Sequence, residues 1–302
     1  MLEKHPWIRQ ILFPVLAALI WGSAFIFQSV AAAQVSPFTF NTSRSFMGCL
    51  TLFLILLFRK KRTGGPLLGR NPKLALLGGL LCGLDLTLAV NLQQVGLATT
   101  GPGKAGFITA MYIVLVPILG LFLRRKTGVI VWISMVIAGV GLYLLCVTGE
   151  FTITRGDTLL IFCSVIYAVH ILLVDYFVAR VDGFALSFCQ FAVCTLASAA
   201  GMLLFEEPSW RQIVPALPSI LYVGIFSSAL AYTLQILAQK SASPAMVSLL
   251  FSLESVFATL FGALFLHERM SLKEYAGCLL VLFAVVLPQI ISRRQEKSAV
   301  KK

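Results

Sequence analysis

The chain has 302 residues, of which 59% are hydrophobic and only 12% are charged. Soluble domains are about 45–50% apolar and about 25% charged, so this composition excludes an ordinary soluble globular fold. The net charge of +12 is compatible with nucleic-acid binding. However, the basic residues concentrate in the short segments between apolar blocks, so we expect contacts with anionic membrane lipid and none with nucleic acid.

The apolar residues fall in ten blocks of about 20 residues, the length at which an α-helix crosses about 30 Å of hydrocarbon. The predicted spans cover 11–32, 37–58, 73–95, 101–123, 128–147, 157–177, 184–205, 215–237, 244–266 and 272–292. The segments between them are short, so no soluble domain is expected. The sequence predicts an all-α integral membrane protein with ten transmembrane helices.

The distribution of basic residues predicts the orientation of the chain. With ten spans, both termini lie on one side of the membrane, and that side carries the basic clusters at 59–62, 124–126 and 293–297. The basic residues on the other side are few: Lys104, Arg155, Arg211, Arg269 and Lys273. The positive-inside rule therefore predicts that both termini are cytoplasmic.

Enzyme and cofactor motifs are missing from the sequence. It contains no HExxH, GxSxG or nucleotide-binding loop, so we expect neither an enzyme nor an ATP-driven pump. All seven cysteines fall inside predicted spans without metal-ligand spacing, and we interpret them as small apolar residues. No cofactor and no metal are predicted.

The two halves of the chain resemble each other. Segments 91–122 and 233–264 align without a gap, and span one aligns in the same way with span six. The aligned pairs include Leu92/Leu234, Gln93/Gln235, Pro102/Pro244, Tyr112/Glu254, Val114/Val256, Gly120/Gly262 and Trp21/Tyr167. Each half has five spans, so the second half enters the membrane from the opposite side. We predict two inverted repeats, 1–149 and 150–302, with functional sites near their interface at mid-membrane.

Three stretches resemble the signatures of the drug/metabolite transporter superfamily, EamA type. They are LIWGSAFIFQ at 19–28, TTGPGKAGFITAMYIVLVPILG at 99–120 and SLESVFATLFGALFLHERMS at 252–271. The resemblance extends over almost the whole chain. It implies two inverted five-helix repeats around a central cavity, and alternating access that moves amino acids, metabolites or drugs. Many such transporters are exporters in the bacterial inner membrane, which is the localisation that it implies here.

The sequence departs from the family pattern at two places. A Glu-Pro pair is common in the ninth span, whereas Glu254 is followed here by Ser255. The Gly-Glu pair that often follows the fourth span is replaced by the basic residues of 124–126. A proline kink beside Glu254 is therefore not expected.

Among the charged residues inside predicted spans, Glu254, Asp85, Arg44 and Lys104 are the candidates for function. A charge at membrane depth costs at least ~2.5 kcal/mol on insertion scales. At 1.5 Å per residue, Glu254 lies ~15 Å and Asp85 ~18 Å from the cytoplasmic face, while Arg44 lies ~10 Å and Lys104 ~5 Å below the opposite face. The four side chains carry opposite charges at related depths, so they can compensate one another. All four are candidates for a substrate or proton pathway.

The pattern of small residues predicts how Glu254 is oriented. One stripe of the ninth span carries Ser248, Ser252, Ser255, Thr259 and Gly262, which is typical of a helix-packing seam in a membrane. Glu254 lies ~120° from that stripe. We therefore expect Glu254 to stay out of the close helix contact and to face a cavity.

For the other three charged residues a structural role competes with a pathway role. Asp85 shares a packing stripe with Gly78 and Cys82, so a salt bridge to Arg44 or Lys104 would explain it equally well. Arg44 belongs either to such a pair or to a site for a substrate carboxylate. For Lys104, snorkelling toward the membrane surface is favoured over a substrate contact.

Three uncharged or weakly basic residues complete the candidates. His170 is either a proton relay or a hydrogen-bonded packing residue. Tyr112 aligns with Glu254 across the repeat and lines the cavity or packs in the core. Trp21 belongs to a family-like motif, yet it is also placed where an interfacial anchor would lie.

The favoured function is a secondary transporter that exports a small, partly apolar metabolite such as an amino acid. Glu254 would bind a substrate amine or carry the coupling proton. An importer, a facilitative exchanger, a channel and a non-transporting sensor or scaffold remain as alternatives. Small-residue stripes fit internal packing as readily as contacts between two copies, so a homodimer also remains open.

Overall fold

A computed structural model describes residues 8–100, 102–147, 153–265 and 270–300, with side chains described for all but 102–103 and 292–300. Ten helices in these ranges are long and apolar enough to cross a membrane, which confirms the predicted number of spans. Spans one to ten are Ile8–Ala32, Pro37–Thr63, Pro72–Leu97, Lys104–Phe122, Val129–Cys146, Arg155–Val178, Gly183–Phe205, Trp210–Gln239, Pro244–Phe265 and Leu272–Ile291. The described part of the chain contains no strand.

Helix ends follow local sequence signals. Spans two, three and nine begin with proline. Proline has no N–H, which costs nothing there because N–H groups in the first turn have no acceptor within the helix. Span six begins with a capping box, in which Thr154 and Asp157 exchange side chain-to-backbone hydrogen bonds. Span two ends at Gly64, whose φ of 67° is the left-handed conformation that glycine adopts without a steric cost.

Three spans are irregular near their middle. Span four, whose helix starts at Pro102, is divided at Met111, and span nine is divided at Ser252. The resulting segments are Pro102–Ala110, Tyr112–Phe122, Pro244–Phe251 and Leu253–Phe265. Span eight runs as Trp210–Tyr222, a π-helix over Val223–Ala231, and Tyr232–Gln239. Such irregular backbone is frequent at functional sites and is tolerated at membrane depth where it faces protein or a cavity.

The helices approach each other closely through glycine. Span three packs along spans six and seven, span two along spans seven and eight, and span five along span ten. A Cβ atom added to Gly79 on span three would lie 2.1 Å from the Cβ atom of Cys189 on span seven. Only glycine permits this separation, which is the usual way in which helices pack in membranes.

An ion pair joins two spans on the side of the bundle where span one begins and span ten ends, called here the terminal side. Arg59 at the end of span two donates to both carboxylate oxygens of Asp182, at 3.0 and 3.1 Å. Asp182 also accepts from the N–H groups of Phe184 and Ala185 and so caps span seven. Burial alone would raise the pKa of Asp182, but the hydrogen bonds from Arg59 and from these N–H groups lower it below its ordinary value.

Candidate functional site

A cavity lies inside the helix bundle. Spans one, two, three, four, six, eight and nine contribute its walls, so both halves of the chain form it. Six aromatic side chains line it: Trp21, Phe25, Tyr112, Tyr167, Tyr232 and Phe251. The charged groups among its lining residues are Arg44 and Glu254.

Glu254 is held where span nine is interrupted. It is the second residue of the segment after the break at Ser252, and it is only 5% exposed. The hydroxyl of Tyr112, which follows the corresponding break in span four, donates to its Oε1 at 3.4 Å. In the described ranges no basic group forms a salt bridge with Glu254.

The predicted orientation of Glu254 is right for the side chain and wrong for the backbone. The carboxyl lines the cavity. However, the carbonyl oxygen of Glu254 and the N–H of Ala258 lie against Gly22 of span one, so this face is also a close helix contact. The prediction assumed one regular helix, whereas span nine is divided at Ser252 into Pro244–Phe251 and Leu253–Phe265.

Arg44 projects into the same cavity from span two and is 3% exposed. Its Nε donates to Oδ1 of Asn41 at 2.7 Å, and its guanidinium carbon lies 5.8 Å from the ring centroid of Phe40. Within the described residues it forms no salt bridge. The predicted alternative of an ion pair to Asp85 is therefore wrong for Arg44.

Lys104 has a different partner from those predicted. Its Nζ donates to Oδ2 of Asp157 at 2.5 Å, and Asp157 also accepts from Thr100 Oγ1 at 2.9 Å and from the N–H of Thr154 at 2.7 Å. Lys104 is not among the residues lining the cavity, and it pairs with a buried carboxylate instead of snorkelling outward. Its contacts are those of a structural ion pair between spans four and six.

Asp85 lies outside the cavity and forms no salt bridge within the described chain. It is half-buried on span three, and its Oδ2 is buried without a hydrogen-bond partner among the described residues. The predicted ion pair to Arg44 or Lys104 is thus wrong, because Asn41 and Asp157 are the groups in contact with these two cations.

His170 and Trp21 both line the cavity. The Nε2 of His170 lies 3.3 Å from Oε1 of Gln190, while its Nδ1 is buried without a hydrogen-bond partner among the described residues. The ring of Trp21 lies edge-on to Tyr232 and Phe251, with centroids 5.0 and 4.9 Å apart. The interfacial-anchor alternative for Trp21 is therefore wrong.

Several lining residues were not among the predicted candidates. Tyr167 donates to Oε1 of Gln93 at 3.2 Å, and Gln235 lines the cavity from span eight. The sequence held a signal for all three, since the repeat alignment pairs Gln93 with Gln235 and Trp21 with Tyr167. Both members of each pair line the cavity, as do Tyr112 and Glu254. No such signal exists for Tyr232.

The described residues hold no group of three or more His, Cys, Asp or Glu side chains that could bind a metal. All seven cysteines are unpaired, and six of them are buried. The polar groups of the site are one guanidinium, one carboxyl, the imidazole of His170 and several amides and hydroxyls, and aromatic rings line it as well.

Residues 8–147 and 154–288 match the model of the EamA-like transporter family. The chain belongs to this family. The predicted resemblance is confirmed, and this EamA-like protein is a multi-pass membrane transporter and not an enzyme.

Its relatives carry the same general description. An uncharacterized transporter of Archaeoglobus fulgidus is 31% identical over 279 residues, covering 90% of this chain and 83% of that protein. The uncharacterized transporter YoaV of Bacillus subtilis is 24% identical, covering 93% of this chain and 96% of that protein. A solved crystal structure that covers 95% of this chain and 98% of its own superposes with a TM-score of 0.78 at 19% identity, which supports the fold alone.

Proposed function

We propose that this transporter is a secondary transporter that exports a small zwitterionic metabolite, such as an amino acid. One observation carries the proposal: the cavity presents a guanidinium and a carboxyl, and neither has an oppositely charged partner in the described part of the chain. Buried charges without a partner are costly, above all at membrane depth. A ligand with one carboxylate and one ammonium supplies the missing partner to both.

The aromatic walls define the rest of the substrate. Trp21 packs edge-on against Tyr232 and Phe251, and Tyr112 donates to Glu254. All four rings line the cavity together with Glu254. Such rings pack against apolar groups, and their faces also attract an ammonium group. We therefore favour a substrate with an apolar side chain beside its ammonium end.

Glu254 has two roles that the experiment below separates. It binds the substrate ammonium directly, or it carries a coupling proton that the substrate displaces. The contact from the Tyr112 hydroxyl fits both, because that hydroxyl donates to an ionised carboxylate and can turn away from a protonated one.

Alternating access is supported by the two interrupted spans. Inverted repeats allow one sequence to adopt two related packings around a site at mid-membrane. Spans four and nine are broken at Met111 and Ser252, and the residues in register after these breaks, Tyr112 and Glu254, touch each other in the cavity. For the orientation we propose cytoplasmic termini in the bacterial inner membrane, because the basic clusters lie on the terminal side.

The test is comparative mass spectrometry of the medium from cells that express the parent, Glu254→Gln or an empty vector. Glu207→Gln serves as the matched control, because Glu207 is exposed between spans seven and eight. We expect an amino acid or a similar zwitterion to accumulate outside only with the parent and the control. Substrate exchange in proteoliposomes then separates the two roles. Glu254→Gln should still exchange labelled for unlabelled substrate if Glu254 carries only the coupling proton, and should not if Glu254 binds the substrate.

Two results would contradict the proposal. Equal export by the parent and Glu254→Gln, with unchanged pH dependence, would assign Glu254 a structural role. A medium that matches the vector for every compound would refute export, and uptake into proteoliposomes would then test import.

A further inference from the structure

A chain of buried side chains holds Arg44 from the side away from the cavity. Arg44 Nε donates to Oδ1 of Asn41, and Nδ2 of Asn41 donates to Oδ1 of Asn91 at 3.0 Å. The Nδ2 of Asn91 donates in turn to Oγ of Ser198 at 3.0 Å. This Arg44–Asn41–Asn91–Ser198 chain links spans two, three and seven.

The side-chain amides of Asn41 and Asn91 each use both of their hydrogens in hydrogen bonds. Asn41 donates its second hydrogen to the carbonyl oxygen of Val90 at 3.1 Å, and Asn91 donates its second hydrogen to the carbonyl oxygen of Thr87 at 2.8 Å. Asn41 is 0% exposed and Asn91 is 5% exposed. With both hydrogens of each amide used, neither side chain can be turned without losing hydrogen bonds that burial makes costly.

The direction of the hydrogen bonds from Arg44 to Ser198 favours a cation at the cavity end of this series. Each amide points its oxygen toward Arg44 and its nitrogen away from it. Two aligned amide dipoles therefore stabilise the positive charge of the guanidinium without neutralising it. A carboxylate at position 41 would have formed an ion pair with Arg44 and cancelled its attraction for a ligand.

We propose that Asn41 and Asn91 are positioning residues that present Arg44 to the carboxylate of the cavity ligand. They hold Nε, the one guanidinium nitrogen that has an acceptor among the described residues, so the terminal nitrogens stay available for a carboxylate. The inference rests on the proposed function, in that the cavity is taken as the substrate site. It adds that the neutrality of position 41 determines the selectivity for an anionic group.

The experiment compares three ligands of one shape on the purified protein. They are L-leucine, isocaproate, which lacks its amino group, and isoamylamine, which lacks its carboxylate. Binding is followed through tryptophan fluorescence, because Trp21 lies in the cavity. The variants are Asn41→Asp, which keeps the shape and adds a charge, and Asn91→Ala, which breaks the second link. Asn71→Asp is the matched control, because Asn71 is exposed at the terminal end of span three.

We expect the parent to bind isocaproate and Asn41→Asp to bind it about tenfold more weakly. In the variant, the new carboxylate at position 41 forms an ion pair with Arg44, which weakens the charged hydrogen bond from Arg44 to the ligand. Isoamylamine binding should not weaken in that variant. Asn91→Ala should show the same pattern with a smaller factor, and it tests the inference separately if Asn41→Asp fails to fold. The control should bind all three ligands like the parent.

The ratio of acid to amine binding separates positioning from general damage. Equal weakening of isocaproate and isoamylamine, or unchanged isocaproate binding in Asn41→Asp, would overturn the inference. A parent that binds isoamylamine but not isocaproate would overturn it while leaving transport intact. A parent that binds both without exporting any zwitterion would refute the proposed function and leave the inference standing. A parent that binds none of the three would overturn both.

Discussion

Replacing Gly22 by alanine should destabilise the protein, because span one touches the backbone of span nine there. The added Cβ would lie 2.6 Å from the carbonyl oxygen of Glu254, 2.7 Å from Cβ of Phe257 and 2.8 Å from the nitrogen of Ala258. Ordinary contacts begin near 3.5 Å, so the two spans must separate by roughly 0.7–0.9 Å. Such overpacking costs about 1–3 kcal/mol, and two of the three atoms are backbone atoms, which favours the upper half of that range.

Helix propensity acts in the opposite direction and is smaller. Alanine is favoured over glycine inside a helix by about 1 kcal/mol, which leaves a net loss of roughly 1–2 kcal/mol for Gly22→Ala. Gly139→Ala is the control, because nothing lies within 4 Å of a Cβ at that position of span five. Gly139→Ala should therefore be stabilised by the difference in helix propensity alone, about 1 kcal/mol.

The assay is thermal unfolding of both variants and the parent in the same detergent, followed by transport. We expect Gly22→Ala to melt below the parent and Gly139→Ala to melt at or above it. Transport should fall only in Gly22→Ala, since the displaced backbone carries Glu254. If the two alanine variants melted at the same temperature, the close contact between spans one and nine would be refuted.

Three further predictions concern ion pairs and a turn, and each is read from thermal unfolding in detergent. Arg124→Gly should stabilise the protein by about 1 kcal/mol, because Arg124 has a φ of 57° after span four, whereas Lys126→Gly, where φ is not positive, should not. Asp182→Ala should cost about 1–2 kcal/mol at neutral pH through loss of the helix cap. Because the folded state lowers the pKa of Asp182, part of that difference should disappear as the pH falls below about 4. Lys104→Met should cost about 3–5 kcal/mol by leaving Asp157 unpaired, and adding Asp157→Asn should recover much of the loss.

The spans, and the place of Glu254 midway along span nine, could be predicted because both follow from helix rise and apolar length. At 1.5 Å per residue, its position in the span places Glu254 near the membrane middle whatever its neighbours are. The repeat alignment added a second constraint, since it places Tyr112 in register with Glu254, and these two side chains are in contact. Depth and register are properties of the chain itself.

The partners of the charged residues could not be predicted, because they depend on which helices are neighbours. The predictions for Lys104 and Asp85 used depth and the stripe of residues on the same helix, and neither says which span that stripe faces. Lys104 of span four pairs with Asp157 of span six, which is the acidic member of the capping box at the start of that span. Asp85 faces no cation in the described chain. The break at Ser252 could not be predicted either, because no proline lies next to it in the sequence.

The arrangement around the cavity suggests why its two charges do not pair with each other. An internal Arg44–Glu254 ion pair would neutralise both groups, and a ligand would then gain little binding free energy by contacting them. Each charge is instead given a neutral partner, an amide oxygen for Arg44 and a hydroxyl for Glu254. These partners lower the cost of burying the charges but do not remove it, so the carrier without substrate remains less favourable than the carrier with it. A zwitterion that bridges the two groups would remove that cost at once, and binding would then stabilise whichever packing of spans four and nine brings Tyr112 and Glu254 together.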